Sequence, residues 1–155
     1  MAFYQLRQKQ ILPITLEKAW EFFSNPANLN AITPDDMEFV ITSPVPKGEI
    51  YPGQIITYKV SPVLNIPLAW ATEITHVRSP YYFTDSQLHG PYRFWHHEHH
   101  FKETPTGVEM TDILYYELPF GILGDLVHRL FVRQRIESIF EYRQRKLEKL
   151  FQKPA

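Results

Sequence analysis

The alternation of hydrophobic and polar residues predicts one strand followed by two short helices at the start of the chain. Residues 3–12 alternate with a period of two, which is typical of a strand with one buried face. Apolar residues then recur at helical spacing after Thr15, which is placed as an N-cap, and Asn25-Pro26 ends that helix. Residues 27–32 can add one or two further turns. The apolar positions of the first helix are Leu16, Ala19, Trp20 and Phe23.

From Met37 to Leu118 the apolar residues repeat every two positions, which indicates strands. Pairs that contain proline or glycine interrupt this pattern at short intervals, so each strand connects to the next by a tight turn. We therefore predict a meander of antiparallel strands. The predicted strands are residues 37–43, 54–61, 68–78 and 81–88, a histidine-rich segment that follows Gly90-Pro91, and residues 108–118.

The last segment is helical, and it is the longest element that the sequence predicts. It follows Gly124 and runs for roughly 25 residues, to about Phe151. A helix of that length spans roughly 35–40 Å, enough to cross a curved sheet. The order of elements predicts an α+β fold, in which a curved antiparallel sheet of about seven strands wraps around a long C-terminal helix. The apolar stripe of the helix is Leu126, Leu130, Ile136, Phe140, Leu147 and Leu150.

Composition narrows the possible classes of function. A length of 155 residues suits one domain, over residues 1–155, and 44% hydrophobic residues are typical of a folded protein. A net charge of −1 provides no basic surface for nucleic acid, and the absence of cysteine excludes thiolate nucleophiles and thiolate metal sites. No segment is typical of a secretory signal or a membrane span, so we expect a cytoplasmic protein without membrane insertion.

The most informative segment is GPYRFWHHEHHF, at residues 90–101, because it places four histidines among aromatic rings. As a strand it has two faces. One face combines large apolar rings with hydrogen-bonding groups, which is typical of a pocket wall: Arg93, Trp95, His97, His99 and Phe101. The other face is an outward polar row, which we expect to be solvated: Tyr92, Phe94, His96, Glu98, His100 and Lys102.

Hairpin geometry predicts which residues face each other across the strands. A four-residue loop at residues 104–107 pairs Trp95 with Tyr116, His97 with Leu114, His99 with Asp112 and Phe101 with Met110. A two-residue turn at Ser79-Pro80 pairs Thr72 with Gln87, Ile74 with Asp85 and His76 with Phe83. The inner face is then mostly apolar, with several polar groups converging on it, as expected of a small-molecule site.

Including Tyr58 from a neighbouring strand and Phe140 from the helix, the predicted ligand-binding residues number fifteen. They are Tyr58, Trp70, Ile74, Phe83, Asp85, Gln87, Trp95, His97, His99, Phe101, Met110, Asp112, Leu114, Tyr116 and Phe140.

Three interpretations of His97 and His99 remain open. They can be buried imidazoles that hydrogen-bond to Asp112, Asp85 or Tyr116 and tie the strands together. They can recognise the polar group of a ligand. They can also bind a metal with Asp112 as a third ligand, or act as a His99–Asp112 acid–base pair, although a His-x-His pattern alone is a weak signal for a metal. We expect no bound cofactor and no metal, and we assign no catalytic residue.

Several further motifs are similar to those of one superfamily. They are Thr33-Pro34, Trp70 with Ile74, Phe83-x-Asp85-x-Gln87, Gly90-Pro91, Trp95-x-His97-x-His99-x-Phe101, Asp112 with Tyr116, and Pro119-x-Gly121. With them the chain resembles the START-like, birch-allergen-like superfamily (the SRPBCC group) over nearly its whole length. The resemblance is most specific to bacterial ligand-binding proteins described as polyketide-cyclase/dehydrase-like. It implies a helix-grip fold with a cavity and does not imply one reaction.

The leading hypothesis is a binding protein for a small hydrophobic or amphipathic molecule, held between the sheet and the C-terminal helix, with no nucleic-acid partner. One alternative is a cyclase, aromatase or dehydratase that acts on a polyketide-like carbonyl compound through His97, His99 and Asp112. Another is an interaction module, since some relatives are fused to, or named after, an epimerase-type cell division inhibitor. The sequence favours a binding protein over an enzyme.

Overall fold

A single antiparallel sheet of seven strands organises the chain. The computed structural model describes residues 2–45, 48–62 and 65–152. The strands are β1 (Tyr4–Leu12), β2 (Val40–Ile41), β3 (Ile55–Val60), β4 (Leu68–Arg78), β5 (Tyr82–His89), β6 (Phe94–Thr104) and β7 (Gly107–Glu117). Their order across the sheet is β1-β7-β6-β5-β4-β3-β2, so the first strand pairs with the last and the others form a meander. This confirms the predicted strand arrangement.

Two short helices follow β1, as predicted. Helix α1 (Leu16–Phe23) begins where the Thr15 hydroxyl accepts a hydrogen bond from the Lys18 amide, and it buries its apolar face. A 3-10 helix then covers Pro26–Ile32. The predicted strand at residues 37–43 is mostly wrong: only Val40–Ile41 pairs, because a 3-10 turn at Asp35–Met37 precedes it and Glu38 adopts a left-handed backbone conformation.

The hairpin between β6 and β7 has the predicted register. His99 lies opposite Asp112, and His97 lies opposite Leu114. In the β4–β5 hairpin the predicted pairs of Ile74 with Asp85 and Thr72 with Gln87 are also present.

The predicted pair of His76 with Phe83 is wrong, because His76 lies opposite Thr84. The connection between β4 and β5 is one residue longer than predicted, since Arg78 pairs with Tyr82. An irregularity between Ile74 and His76 then restores the predicted register further along the strands.

The C-terminal helix is longer than predicted and is irregular near its start. It comprises α2 (Gly121–Val127), a π-helical turn (His128–Val132) and α3 (Arg133–Leu150). The predicted apolar stripe is correct for Ile136, Phe140 and Leu147, which are buried, and wrong for Leu126, Leu130 and Leu150, whose exposures are 51%, 57% and 46%. The extra residue in the π-helical turn changes which side chains face the sheet, so a regular helical period does not extend through it.

Helix α3 and helix α1 cover the same face of the sheet and form the core with it. Leu12, Leu114 and Leu147 are completely buried there, on β1, β7 and α3. Trp20 of α1 contacts Phe83 and Phe101 edge-on. Among the residues described, no helix is both long enough and apolar enough to cross a membrane.

Candidate functional site

A cavity of about 200 Å³ lies between the inner face of the sheet, the short helices and α3. Its walls are mostly apolar side chains, and every one of these elements contributes to them, as is typical of a small-molecule pocket. The residues from the strands that line it are Ile41, Ile56, Tyr58, Val60, Trp70, Thr72, Ile74, Phe83, Asp85, Trp95, His97 and His99. Those from α3 are Ile136, Ile139, Phe140 and Arg143.

Aromatic rings form one side of the cavity, and we call this set the aromatic wall: Tyr58, Trp70, Tyr92 and Trp95. Trp70 is stacked on Tyr58 at 5.9 Å between ring centroids and meets Trp95 edge-on at 5.3 Å. The Trp70 indole donates to the Thr72 hydroxyl at 3.1 Å, and the Tyr58 and Thr72 hydroxyls lie 3.0 Å apart. Burial raises the pKa of Tyr58, so its phenol stays protonated and neutral.

A neighbouring part of the same sheet face carries charge, and we call Asp85, His97, His99 and Asp112 the polar cluster. The first three of these residues line the cavity. The His99 Nε2 atom lies 2.7 Å from Asp85 Oδ2, and the His97 Nε2 atom lies 2.9 Å from Asp112 Oδ1. Asp112 Oδ1 is also 3.1 Å from His99 Nδ1, at an angle that does not make a hydrogen bond. The two imidazole centroids are only 3.8 Å apart.

The protonation states within the polar cluster follow from these contacts. Burial opposes the charge on His99, but the two carboxylates beside it outweigh burial and raise its pKa. Burial and the neighbouring His99 charge lower the pKa of His97. Of the two rings, His99 is therefore the one that keeps its second proton to the higher pH. Neutral His97 donates its Nε2 proton to Asp112, so its Nδ1 atom is an acceptor on the cavity side.

Both carboxylates of the polar cluster are ionised. Burial favours the neutral form of Asp85, yet the hydrogen bond from His99 and the nearby positive charges lower its pKa. Burial acts on Asp112 in the same way, and the Arg143 guanidinium together with both imidazoles holds its pKa well below the usual value. Asp112 is thus a fixed negative charge beneath the two rings.

Arg143 brings a cation from α3 to the edge of the polar cluster. One guanidinium nitrogen, Nη1, is 3.9 Å from Asp112 Oδ1, and the guanidinium carbon lies 5.7 Å from the centre of the Phe23 ring. Within the described part of the chain its buried Nε has no hydrogen-bond partner. Because Arg143 also lines the cavity, it can donate to a ligand acceptor.

Nine of the fifteen predicted ligand-binding residues line this cavity. They are Tyr58, Trp70, Ile74, Phe83, Asp85, Trp95, His97, His99 and Phe140. Whether they contact a ligand stays a prediction.

The other six predicted residues lie elsewhere. Phe101, Met110 and Leu114 are buried core residues, with exposures of 3%, 3% and 0%. They share the inner face of the sheet with the cavity residues, but helices α1 and α3 cover them.

The remaining three predicted residues are held by hydrogen bonds outside the cavity. The Gln87 amide donates to the Tyr92 carbonyl at 2.7 Å, and the Tyr116 hydroxyl lies 2.8 Å from His128 Nε2. Asp112 contacts His97 and His99 but does not itself line the cavity. The predicted opposition of His99 and Asp112 across the strands is confirmed, and of the allowed hydrogen-bond partners His99 bonds to Asp85, while Asp112 bonds to His97.

Tyr92 and Arg143 are two of the cavity residues that the predicted set omits. Strand alternation predicts Tyr92 on the outer face, but β6 begins only at Phe94, so the alternation does not apply to Tyr92. Gly90-Pro91 just before it is the signal that the strand starts later. Arg93, predicted on the inner face, has a side chain that is 55% exposed, for the same reason. Arg143 lies on the helix face that the pattern predicts to be buried, and no pattern marks it as a cavity residue.

Comparison with known proteins identifies the fold and leaves the function open. No protein-family model matches the chain, and no curated protein matches it in sequence. Among solved structures, protein CV1439 from Chromobacterium violaceum is 10% identical with a TM-score of 0.71, covering 97% of this chain and 98% of that one. TTHA0849 from Thermus thermophilus is 15% identical with a TM-score of 0.67, covering 94% and 95%.

A third solved structure is similar over nearly the whole chain. Ara h 8.0201 is 12% identical with a TM-score of 0.62, and the alignment covers 96% of this chain and 99% of that one. Together with the sheet order and the C-terminal helix, these likenesses show that the chain has the α+β helix-grip fold of birch-allergen-like proteins. At this level of identity they show the fold alone.

Proposed function

We propose that this protein binds a small amphipathic molecule in the cavity between the sheet and helix α3. The observation that carries the proposal is that one cavity is lined both by an aromatic wall and by residues of the polar cluster. Aromatic rings supply rigid apolar contact area, and a few fixed polar groups orient a ligand within such a pocket. The apolar part of the ligand would lie against Trp70 and Trp95, and its polar group against His97 and Arg143.

The cavity volume limits the size of the ligand. About 200 Å³ is less than the roughly 300–1,000 Å³ of pockets for drug-sized molecules, and more than the roughly 150 Å³ of an apolar cavity that holds benzene. A compound with a single ring, or with a short chain, fits this space, and a long acyl chain does not.

The donors and acceptors of the site limit the polar group of the ligand. The cavity-side Nδ1 of His97 accepts a hydrogen bond, and Arg143 donates hydrogen bonds and carries a positive charge. A ring that bears a hydroxyl group and a carbonyl or carboxylate satisfies both residues. This chemistry agrees with the sequence resemblance to polyketide-cyclase-like ligand-binding proteins, and we propose that the chain belongs to that subgroup. We also propose a cytoplasmic location, which rests on the sequence alone.

We propose neither the enzymatic function nor the interaction module for this protein. Catalysis on a carbonyl compound and partnership with an epimerase-like protein have no support among the similar structures, which show the fold alone.

The test uses native mass spectrometry of the purified protein, followed by NMR titration with a panel of single-ring phenols and aromatic carboxylates. Trp95 lines the cavity, whereas its neighbour Phe94 points to the outer face and is 40% exposed. We expect Trp95→Leu to weaken binding of the best probe by more than about tenfold and Phe94→Leu to change it by less than about twofold. Equal effects of the two substitutions, or shifts confined to residues outside the cavity, would overturn the proposal.

A further inference from the structure

Three residues of the polar cluster combine the chemistry and the spacing of a metal site. His97 and His99 lie two residues apart on β6, so their side chains project from the same face. Asp85 of β5 lies opposite His97. One nitrogen or carboxylate oxygen from each residue lies within 4.8 Å of the other two, and the His97 Nδ1 and His99 Nε2 atoms are 4.0 Å and 2.7 Å from Asp85 Oδ2.

We propose that Asp85, His97 and His99 bind one divalent transition-metal ion, with Zn²⁺ or Fe²⁺ as the chemical class. The ligands would be His97 Nδ1, His99 Nε2 and an Asp85 carboxylate oxygen. Around a tetrahedral ion with bonds of about 2.0–2.1 Å, ligand atoms lie about 3.3 Å apart, so small side-chain shifts suffice. Two imidazoles and one carboxylate, without a thiolate, suit Zn²⁺ and Fe²⁺. The proposal departs from the sequence-based expectation of no metal, and it makes Asp85, rather than Asp112, the third ligand.

Asp112 supports this assignment from behind the two rings. Its Oδ1 atom is 2.9 Å from His97 Nε2 and 3.1 Å from His99 Nδ1, which are the two ring nitrogens that would not contact the metal. Histidine ligands of metals usually have a carboxylate or carbonyl at the other ring nitrogen, and it fixes the tautomer and the orientation of the ring. Asp112 hydrogen-bonds to His97 in this structure and lies beside the corresponding nitrogen of His99, where it can accept a hydrogen bond once that ring binds the ion.

The charges of the site determine what else the ion would bind. Binding of the ion would displace the Nε2 proton of His99, so both imidazoles would be neutral ligands. The carboxylates of Asp85 and Asp112 would then balance the two charges of the ion, and Arg143, 3.9 Å from Asp112, would leave one positive charge. Three protein ligands leave at least one coordination position of the ion open, and these ligands lie in the cavity wall. An anionic oxygen, from a carboxylate, an enolate or hydroxide, fits that position.

The outer face of β6 carries a competing set of ligands. His96 Nε2 lies 3.6 Å from Glu98 Oε1, and His100 Nε2 lies 2.8 Å from Glu98 Oε2. These side chains are between 26% and 42% exposed, and water competes there for a metal ion. Because they alternate with the inner histidines on one strand, they provide a matched control.

The experiment titrates the full-length protein, stripped with EDTA, with Co²⁺ and then with Zn²⁺. Visible absorption reports the coordination of Co²⁺, and calorimetry gives the stoichiometry and affinity for Zn²⁺. We expect the wild-type protein to bind one equivalent of Zn²⁺. We expect the double variant His96→Asn and His100→Asn to bind it with an affinity within about threefold of the wild-type value. We expect Asp85→Asn to weaken Zn²⁺ binding at least about 100-fold, since it removes a charged ligand but keeps the side-chain size.

If Asp85→Asn does not fold, the titrations of the wild-type protein and of the outer-face double variant decide together, because loss of binding in the double variant would place the ion on the outer face. Absence of a one-equivalent complex, or a Co²⁺ spectrum of a fully hydrated ion, would overturn the proposal. So would binding that is lost in the outer-face double variant and kept in Asp85→Asn. The titration requires no organic ligand, so it can fail or succeed separately from the ligand-binding test. A bound ion would occupy His97 Nδ1, and the polar group of a ligand would then meet the ion and Arg143 in place of that nitrogen.

Discussion

His97 hydrogen-bonds to Asp112 although the two residues are not opposed in the sheet. Their side chains meet at 2.9 Å, while the register of β6 and β7 places Leu114 opposite His97 and Asp112 opposite His99. The Asp112 carboxylate therefore contacts its diagonal neighbour, His97, as well as its opposed residue, His99, whose Nδ1 atom lies 3.1 Å away. Side chains lean along a strand, and diagonal neighbours are within reach of long side chains. Asp112 is the anion that both imidazoles and Arg143 share.

We expect Asp112→Asn to destabilise the fold strongly. The substitution preserves size but leaves Arg143 and the histidines buried without their shared negative charge, and Asp112 is only 2% exposed. Removing one partner of a buried ionic network typically costs about 3–5 kcal/mol. Urea unfolding at pH 7 would measure the loss in the free energy of unfolding.

Glu109→Gln on the same strand is the control for Asp112→Asn. Glu109 pairs with Lys9 at 3.0 Å, but the Lys9 side chain is 51% exposed, so this pair contributes about 0–1 kcal/mol. If the two variants lost similar stability, Asp112 would not hold the cluster together.

His128 is expected to make the fold less stable in mild acid. Burial and then the charge of Arg133 lower the pKa of His128 below its ordinary value of 6.5, and its neutral Nε2 accepts from the Tyr116 hydroxyl. Burial raises the pKa of Tyr116 to about 12, so this donor stays protonated. As the pH falls through 6.5, the unfolded chain takes up a proton that the folded protein takes up only at lower pH. The contribution of His128 to stability is therefore present above 6.5 and is lost below it.

The comparison that isolates His128 is wild type against His128→Phe, which preserves a ring to stack on Tyr4. The variant should be less stable than wild type at pH 7.5, and the difference should shrink at pH 5.5. An NMR titration should give a pKa for His128 below 6.5. A stability difference that stays constant or grows in acid would contradict a lowered pKa of His128 in the folded protein.

The sequence predicted the strand partners more reliably than the side-chain partners. The turn at residues 104–107 fixes every pair between β6 and β7, so the opposition of His99 and Asp112 followed from counting. The direction in which each imidazole leans did not follow, because it depends on tertiary packing. The Phe83 ring stacks on His99 at 4.2 Å, and among the partners that the sequence left open His99 hydrogen-bonds to Asp85 and not to Asp112.

The errors in the predicted fold also have local causes. An irregularity in β4 and a π-helical turn each insert one residue into a regular period, and no residue type marks either insertion in advance. Each insertion changes which face a side chain occupies. For this reason Leu126 and Leu130 are exposed, whereas Ile136, beyond the π-helical turn, is buried.

Phe140→Ala should cost much more stability than Phe131→Ala. Both residues lie in the C-terminal helical segment, but Phe140 is 6% exposed and packs against His97 at 5.5 Å, whereas Phe131 is 63% exposed. Truncating a buried phenylalanine costs about 3–5 kcal/mol, and an exposed one about 0.5 kcal/mol or less. Thermal and urea unfolding of the two variants would check this difference. A cost below about 1 kcal/mol for Phe140→Ala would mean that α3 does not close the cavity as described.

In Gly124→Ala, helix propensity and packing have opposite effects on the free energy of unfolding, and we expect the effect of packing to be larger. Alanine in a helix interior is favoured over glycine by about 1 kcal/mol, so propensity alone predicts a more stable protein. A Cβ atom on Gly124, however, would collide with the Pro119 carbonyl oxygen and lie 3.3 Å from the Leu118 side chain. Forcing extra atoms into a packed site typically costs about 1–3 kcal/mol, and a backbone oxygen cannot rotate away as a side chain can. We therefore expect Gly124→Ala to lower the free energy of unfolding, while Gln134→Ala, at an exposed position of α3, changes it by no more than about 0.5 kcal/mol. A more stable Gly124→Ala variant in urea unfolding would show that α2 can move away from Pro119, and that its close approach there is not required by the fold.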